Sequence, residues 1–385
     1  MSRPASGHEA RLRPRRVLFA VSAMGFGHVQ RSLPLIRRLL ADGARMTLVS
    51  YGDALAALRR ELVGHEAVEF RSFPDYPPLQ RGEGAAHYGY FLADLLRLTR
   101  RLRLERAFTN SLVAEIRPDM IVTDGRFGFH APGVPSFLIC HQIRFIMPRL
   151  LRPFQLIADV VQLNLLRRFD RVLVPDFASA EACLAGRLSH NWIAALLKPA
   201  YVGHLSSAHF KPAEKNIDLL FITGGFLKGP KAAWEAWIAR LAHEHEAREI
   251  VSIAGSMGHE AAWPDRVKRQ DFVLGTERDD CMNRARAIIA RAGYTTIMDL
   301  VVLRQDAILI PTPGMTEQLY LAKRHPRVEI GGQTGYAFRY AALPETIRAW
   351  NVEDTLKTIL GVIGWDRHVD CAVLKCDESK CETPQ

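Results

Sequence analysis

Hydrophobic and polar positions alternate along the chain in two ways from residue 17 to residue 323. Short apolar runs rich in Val, Ile and Leu, such as 17–22 and 120–123, precede longer stretches in which apolar residues recur every three or four positions, such as 28–41. The short runs predict buried strands, and the longer stretches predict amphipathic helices. Strands that alternate with helices in this way are typical of parallel sheets covered by helices.

The pattern divides the chain into two series of elements. The first has strands at 17–22, 46–50, 67–72, 120–123, 136–139 and 171–174, with helices at 28–41 and 90–116. The second has strands at 218–223, 249–253, 272–274, 287–290 and 307–310, with helices at 231–244, 295–302 and 316–323. We therefore predict an α/β protein with two tandem Rossmann-like domains at 1–203 and 217–364, a linker at 204–216 and a polar tail at 365–385.

Composition and charge agree with a globular protein of two domains. The chain has 385 residues, of which 48% are hydrophobic and 24% charged. Residues 1–203 carry 28 Lys+Arg against 17 Asp+Glu, a net charge of +11, whereas residues 204–385 carry 23 against 24. Arg, which dominates the basic half, favours contact with phosphate or carboxylate. A high-GC genome, which encodes Arg in place of Lys, explains the preference for Arg equally well, but it does not explain the difference in charge between the two halves.

The cysteines and the lack of long apolar segments indicate the cellular compartment of the protein. The six cysteines form no Cys-x-x-Cys pair, so reduced thiols in the cytoplasm are expected. The Arg-rich first sixteen residues precede no apolar run of signal-peptide length, and no run approaches the ~18 apolar residues of a membrane span. Cys371, Cys376 and Cys381 lie near His368 in the tail, but they lack the usual spacing of zinc ligands.

A glycine turn joins the first predicted strand to the first predicted helix. Its sequence, Gly25-Phe26-Gly27-His28, offers backbone N–H groups at a helix start, which suits a phosphate. The spacing differs from Gly-x-Gly-x-x-Gly, and no acidic residue ends the next strand, so a nicotinamide-dinucleotide site fits poorly. His28 is a candidate general base, and a packing or capping histidine is the alternative.

Asp124 ends the strand at 120–123 and is expected at the same edge of the sheet as His28. A carboxylate behind an imidazole orients the ring and stabilises its protonated form. The alternative is that Asp124 caps the turn formed with Gly125 and Arg126.

The second half contains three further turns after predicted strands. Gly224-Gly225 follows the strand at 218–223, a shape suited to a diphosphate. Residues 288–300 and 310–322 then repeat a strand, a Gly-containing turn and a helix with an acidic residue near its start. Helix N-termini suit phosphates, and carboxylates suit sugar hydroxyls.

Taken together, these motifs resemble those of the GT-B glycosyltransferases of the MurG and UDP-glycosyltransferase superfamily. The resemblance runs from about residue 17 to 322. It is most specific in Arg-Ala-Gly-Tyr-Thr-Thr-Ile-Met-Asp at 291–299 and in Pro-Thr-Pro-Gly-Met-Thr-Glu-Gln at 311–318. It implies two Rossmann-like domains facing each other across a cleft. The donor, usually a UDP-sugar, binds the C-terminal domain, the acceptor binds the N-terminal domain, and transfer inverts the anomeric carbon.

The resemblance also implies roles for individual residues. His28 would be the base and Asp124 its partner, with Gly25, Gly27 and Arg31 on the acceptor side of the loop. The implied donor site comprises Gly224, Gly225, Arg291, Gly293, Thr295, Asp299, Glu317 and Gln318. Among these, Arg291, Gly293 and Thr295 would form the phosphate loop, Asp299 would bind the ribose, and Glu317 with Gln318 would face the donor sugar.

Some positions depart from the family pattern. Asp299 is one methylene shorter than the usual Glu, Arg291 replaces a small residue or His, and Arg304-Gln305-Asp306 replaces Gly-Lys-Pro. No Asp-x-Asp triplet occurs, so we expect no metal and no other cofactor besides the nucleotide sugar.

The acceptor is less well indicated. Arg alternates with large apolar residues at 144–154 and 95–108. This pattern suits contact with an anionic membrane, and it is equally typical of two ordinary helices whose Arg side chains are solvated. A lipid-linked or anionic acceptor and peripheral contact with the inner face of the membrane follow as expectations.

Other functions stay open at this stage. A non-hydrolysing UDP-sugar epimerase shares the fold, but it needs further acid and base groups beyond His28 and Asp124. A non-catalytic protein that binds a nucleotide sugar or a polyanion is the alternative of another class. The pI of about 9.5 would suit nucleic acid. However, the Arg residues are dispersed and no RNA or DNA module appears, so we expect none.

Overall fold

The computed structural model describes residues 15–76, 85–223, 228–244, 249–254, 265–271, 273 and 275–365. Side chains are described for these residues except 85–96, 228–231, 254 and 271. The predicted diphosphate turn at Gly224 and Gly225 lies outside the described residues, as do Cys371, Cys376 and Cys381.

Within the described residues, seven parallel strands form the first sheet. They are β1 (Arg16–Val21), β2 (Arg45–Ser50), β3 (Val68–Ser72), β4 (Met120–Asp124), β5 (Ser136–Ile139), β6 (Arg171–Val174) and β7 (Ala200–Tyr201). Their order is β3-β2-β1-β4-β5-β6-β7. The chain therefore reverses direction across the sheet between β1 and β4, which places a crevice at the carboxyl ends of these two strands.

The described part of the second half contributes another seven strands. They are β8 (Ile217–Thr223), β9 (Ile250–Ala254), β10 (Val267–Asp271), β11 (Ala285–Arg291), β12 (Ala307–Ile310), β13 (Arg327–Ile330) and β14 (Gln333–Phe338). Their order is β10-β9-β8-β11-β12-β14-β13. The prediction of two Rossmann-like domains is confirmed.

Two parts of the second sheet differ from the prediction. The strand expected at 272–274 is β10 at Val267–Asp271, a polar sequence tolerated because β10 is an edge strand. The antiparallel hairpin of β13 and β14 was not predicted. Its two-residue loop, Gly331-Gly332, has φ of 52° and 72°, which is a recognisable hairpin signal.

Helices flank both sheets. In the described part of the chain they are α1 (Phe26–Ala41), α2 (Gly52–Glu61), α3 (Ala85–Ile116), α4 (Gln155–Leu166), α5 (Trp192–Leu197), α6 (Lys228–Glu244), α7 (Gly275–Arg284), α8 (Tyr294–Val302), α9 (Thr316–Ala322), α10 (Glu345–Ala349) and α11 (Val352–Val362). Short 3-10 helices cover Arg149–Phe154, Gly186–Leu188 and Tyr340–Ala342. None of the helices described is both long and apolar enough to cross a bilayer.

The last helix crosses back to the first domain, although we expected the second domain to extend to residue 364. The apolar face of α11, including Leu356 and Ile359, is buried in one core with Val17 and Leu33. Trp365 anchors the end of this segment, because the Arg15 guanidinium lies 4.6 Å from the centre of its ring. The apolar positions of a helix do not indicate which domain covers them, so we had placed residues 352–362 in the same domain as their neighbours in the chain.

The start of the predicted linker is buried rather than solvated. Residues 204–208 are all buried. The backbone N–H of Leu205 lies 3.4 Å from Sδ of Met298, and the Ser206 hydroxyl donates to Asp299. The linker therefore packs along α8.

Candidate active site

The glycine turn after β1 is stabilised by hydrogen bonds to Asp75, a residue that the sequence analysis missed. Gly25 has φ of 99°, a conformation that favours glycine, and α1 begins at the next residue. Asp75 accepts hydrogen bonds from the Ser22 hydroxyl at 2.9 Å and from the backbone N–H of Ala23. Asp75 follows β3 at the same edge of the sheet as Asp124, which is the signal that could have identified it.

His28 and Asp124 meet at the carboxyl edge of the first sheet. Asp124 ends β4 opposite Val21 of β1, and Nδ1 of His28 lies 2.8 Å from its Oδ1. The His28 side chain is 22% exposed, whereas Asp124 is fully buried. Burial opposes ionisation of this carboxyl, but Arg31 and His28 outweigh it and hold the pKa of Asp124 far below its usual range. Asp124 is therefore ionised, and it fixes the orientation of the His28 ring.

Arg31 lies beneath this pair rather than on the acceptor side of the loop, where we expected it. Its Nε donates to Oδ2 of Asp124 at 2.6 Å, and its Nη2 donates to Oδ1. The Ser32 hydroxyl also donates to Oδ2, at 3.0 Å. The Arg31 side chain is only 2% exposed because the carboxylate draws it into the first domain.

A second histidine, which the sequence analysis missed, connects the two domains. His141 follows β5, and its Nε2 lies 2.8 Å from Oε1 of Glu317 in the first turn of α9. Its ring stacks on Tyr294 at a centroid distance of 4.3 Å. Burial lowers the pKa of His141, so that the imidazole is neutral at pH 7. Burial opposes ionisation of Glu317, but His141 and Arg31 outweigh it and lower its pKa.

Gln318, the neighbour of Glu317, contacts the loop that precedes α9. Its Oε1 accepts a hydrogen bond from the backbone N–H of Thr312 at 2.8 Å. This hydrogen bond closes the loop that precedes α9.

The starts of α1 and α8 approach each other across the cleft. A Cβ atom on Gly27 would lie 2.8 Å from Oγ1 of Thr295, so only glycine fits without a shift. Gly25 and Gly293 are the N-cap residues of α1 and α8, and among the described residues no side chain caps either helix. Two helix N-termini that meet in this way suit an anion between them.

Arg291 ends β11 beside this junction. Its guanidinium lies 3.9 Å from the centre of the Trp234 ring, and its Nη1 donates to the carbonyl oxygen of Pro311 at 3.1 Å. Burial lowers the pKa of Arg291 to about 10, and the group is still charged at pH 7. A buried cation near two helix N-termini is suited to a diphosphate.

Asp299 is placed away from the expected ribose contact. Its Oδ1 accepts from the Ser206 hydroxyl, and its Oδ2 lies 2.8 Å from Nη2 of Arg278. With 1% of the residue exposed, Asp299 holds the linker and α7 against α8.

One group in the described residues has the composition of a metal site, namely Asp176, Cys183 and His190. Both carboxylate oxygens of Asp176 already accept hydrogen bonds. The donors are the backbone N–H groups of Phe177, Leu184 and Ala185 and the Ser189 hydroxyl. The group therefore closes the loop after β6, and it does not fit a metal ion.

Comparison with known proteins agrees with this architecture. Residues 235–329 match the family model described as the glycosyltransferase family 28 C-terminal domain. The search of curated proteins found no match.

Several solved structures are similar to the chain. The spinosyn rhamnosyltransferase SpnG, complexed with thymidine diphosphate, has 16% identity and a TM-score of 0.54, over 93% of this chain and 94% of that one. The glycosyltransferase SnogD from Streptomyces nogalater has 16% identity and a TM-score of 0.51, over 91% and 95%. UGT89C1 from Arabidopsis thaliana, complexed with UDP-L-rhamnose, has 12% identity and a TM-score of 0.51, over 81% and 83%.

At identities of 12–16%, the similarity to these structures establishes the fold, which is GT-B. The family model matches part of the second domain only. With the glycine turns of both domains meeting across one cleft, these findings agree with the motifs of the sequence. The chain has the GT-B fold, and its second domain contains a match to the glycosyltransferase family 28 C-terminal domain.

Proposed function

We propose that the enzyme transfers a sugar from a nucleotide-sugar donor, a UDP-sugar, to a hydroxyl group of its acceptor. In this proposal transfer inverts the anomeric carbon and needs no metal ion. The observation that carries the proposal is the pair of His28 and Asp124, joined at 2.8 Å in the cleft opposite α8. Such a pair can remove a proton from a hydroxyl group and hold the resulting charge.

The mechanism is a single displacement. Nε2 of His28 takes the proton of the acceptor hydroxyl while the oxygen bonds to the anomeric carbon. The bond from that carbon to the diphosphate breaks, and the nucleoside diphosphate leaves with the electron pair. Asp124 stabilises the imidazolium, and Arg291 with the N-termini of α1 and α8 stabilises charge on the leaving group.

On the donor side, Arg291, Gly293 and Thr295 would face the diphosphate. Glu317 would face hydroxyl groups of the donor sugar, because it reaches the cleft and is ionised. The relatives described above hold thymidine diphosphate in one case and UDP-L-rhamnose in another. The base of the donor therefore needs a direct test.

The test of the donor site is thermal stabilisation by UDP-, dTDP-, GDP- and ADP-sugars. A ligand that binds only the folded protein at a hundred times its Kd stabilises it by about 2.7 kcal/mol. We expect UDP-sugars to raise the Tm of the wild type, and Arg291→Ala to lose most of this shift. Arg286→Ala is the matched control, since Arg286 lies in the same strand with 60% of its side chain exposed. If no nucleotide sugar raises the Tm, the donor-site proposal is wrong.

Product analysis tests the chemistry. Turnover of the sugar nucleotide without any acceptor would identify an epimerase instead. Full activity in the presence of EDTA is expected for a metal-independent enzyme. The anomeric configuration of the product, measured by NMR, is expected to be opposite to that of the donor.

A surface of the first domain supports the proposal of a lipid-linked acceptor. Large apolar side chains are exposed together on the 3-10 helix at Arg149–Phe154, on α4 and on α5, which contacts α4 through a hydrogen bond from Trp192 to Asp159. We call them the apolar face; they are Leu150, Phe154, Leu156, Ile157, Val160, Val161, Trp192 and Leu196. The segment that begins at His141 leads from the cleft to this face.

The charges around the apolar face complement an anionic bilayer. Arg149 and Arg152 are exposed at one end, and Arg167 and Arg168 at the other. Asp159, the acidic residue of α4, is 1% exposed and is paired with Arg144. An exposed apolar surface bordered by Arg is suited to insertion at the headgroup level.

Sedimentation with vesicles tests this part of the proposal. We expect binding to vesicles that contain phosphatidylglycerol, weaker binding to phosphatidylcholine alone, and release at high salt. The double variant Leu156→Ser/Ile157→Ser is expected to bind less. Val63→Ser is the control, because Val63 is 82% exposed outside the apolar face. Equal sedimentation of all three proteins would contradict a role of this face.

A further inference from the structure

Arg31 lies three residues after His28 on α1, so that both side chains leave the same face of the helix. Its guanidinium holds both carboxylate oxygens of Asp124, one of them at 2.6 Å. This bidentate pair is fully enclosed, since the side chains of Arg31 and Asp124 are 2% and 0% exposed. An arginine so placed cannot contact solvent or an acceptor.

Arg31 also approaches two histidines. Its Nη1 lies 3.1 Å from Nδ1 of His141, and its Nη2 lies 2.9 Å from Nδ1 of His28. A guanidinium only donates hydrogen bonds. Nδ1 of His141 must therefore accept, so that its ring proton lies on Nε2 and is donated to Glu317.

Nδ1 of His28 lies next to one group that only accepts hydrogen bonds and one that only donates them. Oδ1 of Asp124 lies 2.8 Å from Nδ1 and can only accept, whereas Nη2 of Arg31 can only donate. When Nδ1 carries the proton, it donates to Asp124, and Nε2 keeps the lone pair that a general base needs. The other tautomer places the proton on Nε2, where the ring cannot act as a base.

The charges of Asp124 and Arg31 determine whether the His28 imidazole carries one proton or two. A buried carboxylate such as Asp124 requires a positive partner. Besides Asp124 and Arg31, the titratable groups that interact with His28 include His141, after β5, and Glu317, on α9. Since Arg31 is permanently charged, it can satisfy Asp124 while the imidazole of His28 stays neutral.

We propose that Arg31 is a positioning residue that supplies the permanent countercharge of Asp124 and so keeps His28 neutral and able to accept a proton. Through Nδ1 of His141 it also sets the direction of the hydrogen bond to Glu317 in the second domain. This inference rests on the proposed role of His28 as the base of glycosyl transfer. It assigns to Arg31 no contact with either substrate.

The test compares Arg31→Gln, which removes the charge, with Arg31→Lys, which keeps it. In Arg31→Gln we expect the acidic limb of the kcat/KM profile to move to higher pH by about one unit, because Asp124 then holds a proton on His28. Arg31→Lys is expected to lower kcat and to leave the limb close to that of the wild type. A residue that only supported the fold would lower the rate at every pH without moving the limb.

Ring ¹⁵N NMR of His28 supplies a readout that does not depend on activity. We expect protonation of His28 at higher pH in Arg31→Gln than in the wild type, whether or not transfer is observed. If Arg31→Gln does not fold, Asp124→Asn provides a second test. We expect protonation of His28 at lower pH in this variant, since Arg31 then disfavours the protonated ring. Protonation of His28 at the wild-type pH in the folded variants would overturn the proposal. Absence of transfer in the wild type, together with the expected NMR shift in Arg31→Gln, would contradict the proposed function instead.

Discussion

Nε2 of His141 lies 2.8 Å from Oε1 of Glu317, which joins the first domain to the second through two residues 176 positions apart. The imidazole is neutral and the carboxylate is ionised, so the contact is a hydrogen bond to a charged acceptor. It lies next to Arg31, which contacts His28 and Asp124. The candidate active site is thus complete only when both domains are in contact.

A double-mutant cycle measures the energy of this contact. We expect the variants His141→Ala and Glu317→Ala to show a coupling of about 1–2 kcal/mol in the free energy of unfolding, since the acceptor is charged and partly buried. Arg327 and Glu329 form the control pair, with side chains 69% and 57% exposed, and should couple by less than about 0.5 kcal/mol. A coupling at His141 and Glu317 no larger than in the control would show that the bond does not stabilise the closed arrangement.

Removal of His28 tests the assignment of the base. We expect His28→Ala to lower kcat/KM by about 10²- to 10⁴-fold, the usual contribution of general-base catalysis. Stabilisation by the donor should remain, because His28 is expected to face the acceptor. His65→Ala changes an exposed histidine of the same domain and is expected to leave both quantities unchanged. Wild-type activity in His28→Ala would exclude this residue as the base.

The close approach of Gly27 and Thr295 gives a steric prediction. Gly27→Ala introduces a Cβ atom 2.8 Å from Oγ1 and 3.1 Å from Cβ of Thr295, so the starts of α1 and α8 must separate. We expect lower kcat and weaker donor binding, with partial recovery in Gly27→Ala/Thr295→Ala. Gly361→Ala is the control, since no atom lies within 4 Å of its added Cβ. Absence of recovery in the double variant would argue against a clash across the cleft.

Asp279 gives a prediction about stability and pH. Burial raises the pKa of Asp279 to about 6, although Arg278 and the backbone N–H of His209 oppose the shift. A folded-state pKa above the unfolded value means that the carboxyl favours folding at low pH and costs stability as the pH rises through 6. Asp279→Asn is therefore expected to stabilise the protein at pH 7.5 by up to about 3 kcal/mol and to have little effect at pH 4.

Urea unfolding at both pH values measures this difference. Asp280→Asn is the matched control, because Asp280 is adjacent and its side chain is 54% exposed. The explanation by burial is wrong if Asp279→Asn destabilises the protein equally at pH 4 and pH 7.5.

The alternation of apolar runs was sufficient to predict most strands and both Rossmann-like domains. Central parallel strands are buried on both faces, so their residues are almost all apolar, and β1 and β4 are examples. The same reasoning placed His28 near Asp124, because neighbouring parallel strands end at one edge of the sheet. The prediction of strands from apolar runs was wrong at β10, because this edge strand contains Lys268 and Arg269 and so has no apolar run.

Side-chain directions were harder to predict than elements. Asp299 lies on the predicted helix α8, yet it faces Ser206 and Arg278. Arg31 lies on the predicted helix α1, yet it points inward to a carboxylate 93 residues away. In both cases a partner of opposite charge, contributed by another segment of the chain, determines where the side chain turns.

The sequence by itself thus determined the α/β class, the two domains, the glycine turns and the residue types suited to transfer of a sugar. These depend on local pattern and on the geometry of strand ends, which short segments encode. The tertiary structure alone decided that α11 packs on the first domain, that Arg31 lies beneath Asp124 and that His141 meets Glu317. These contacts depend on how two packed surfaces fit together, and residues far apart along the chain contribute to them.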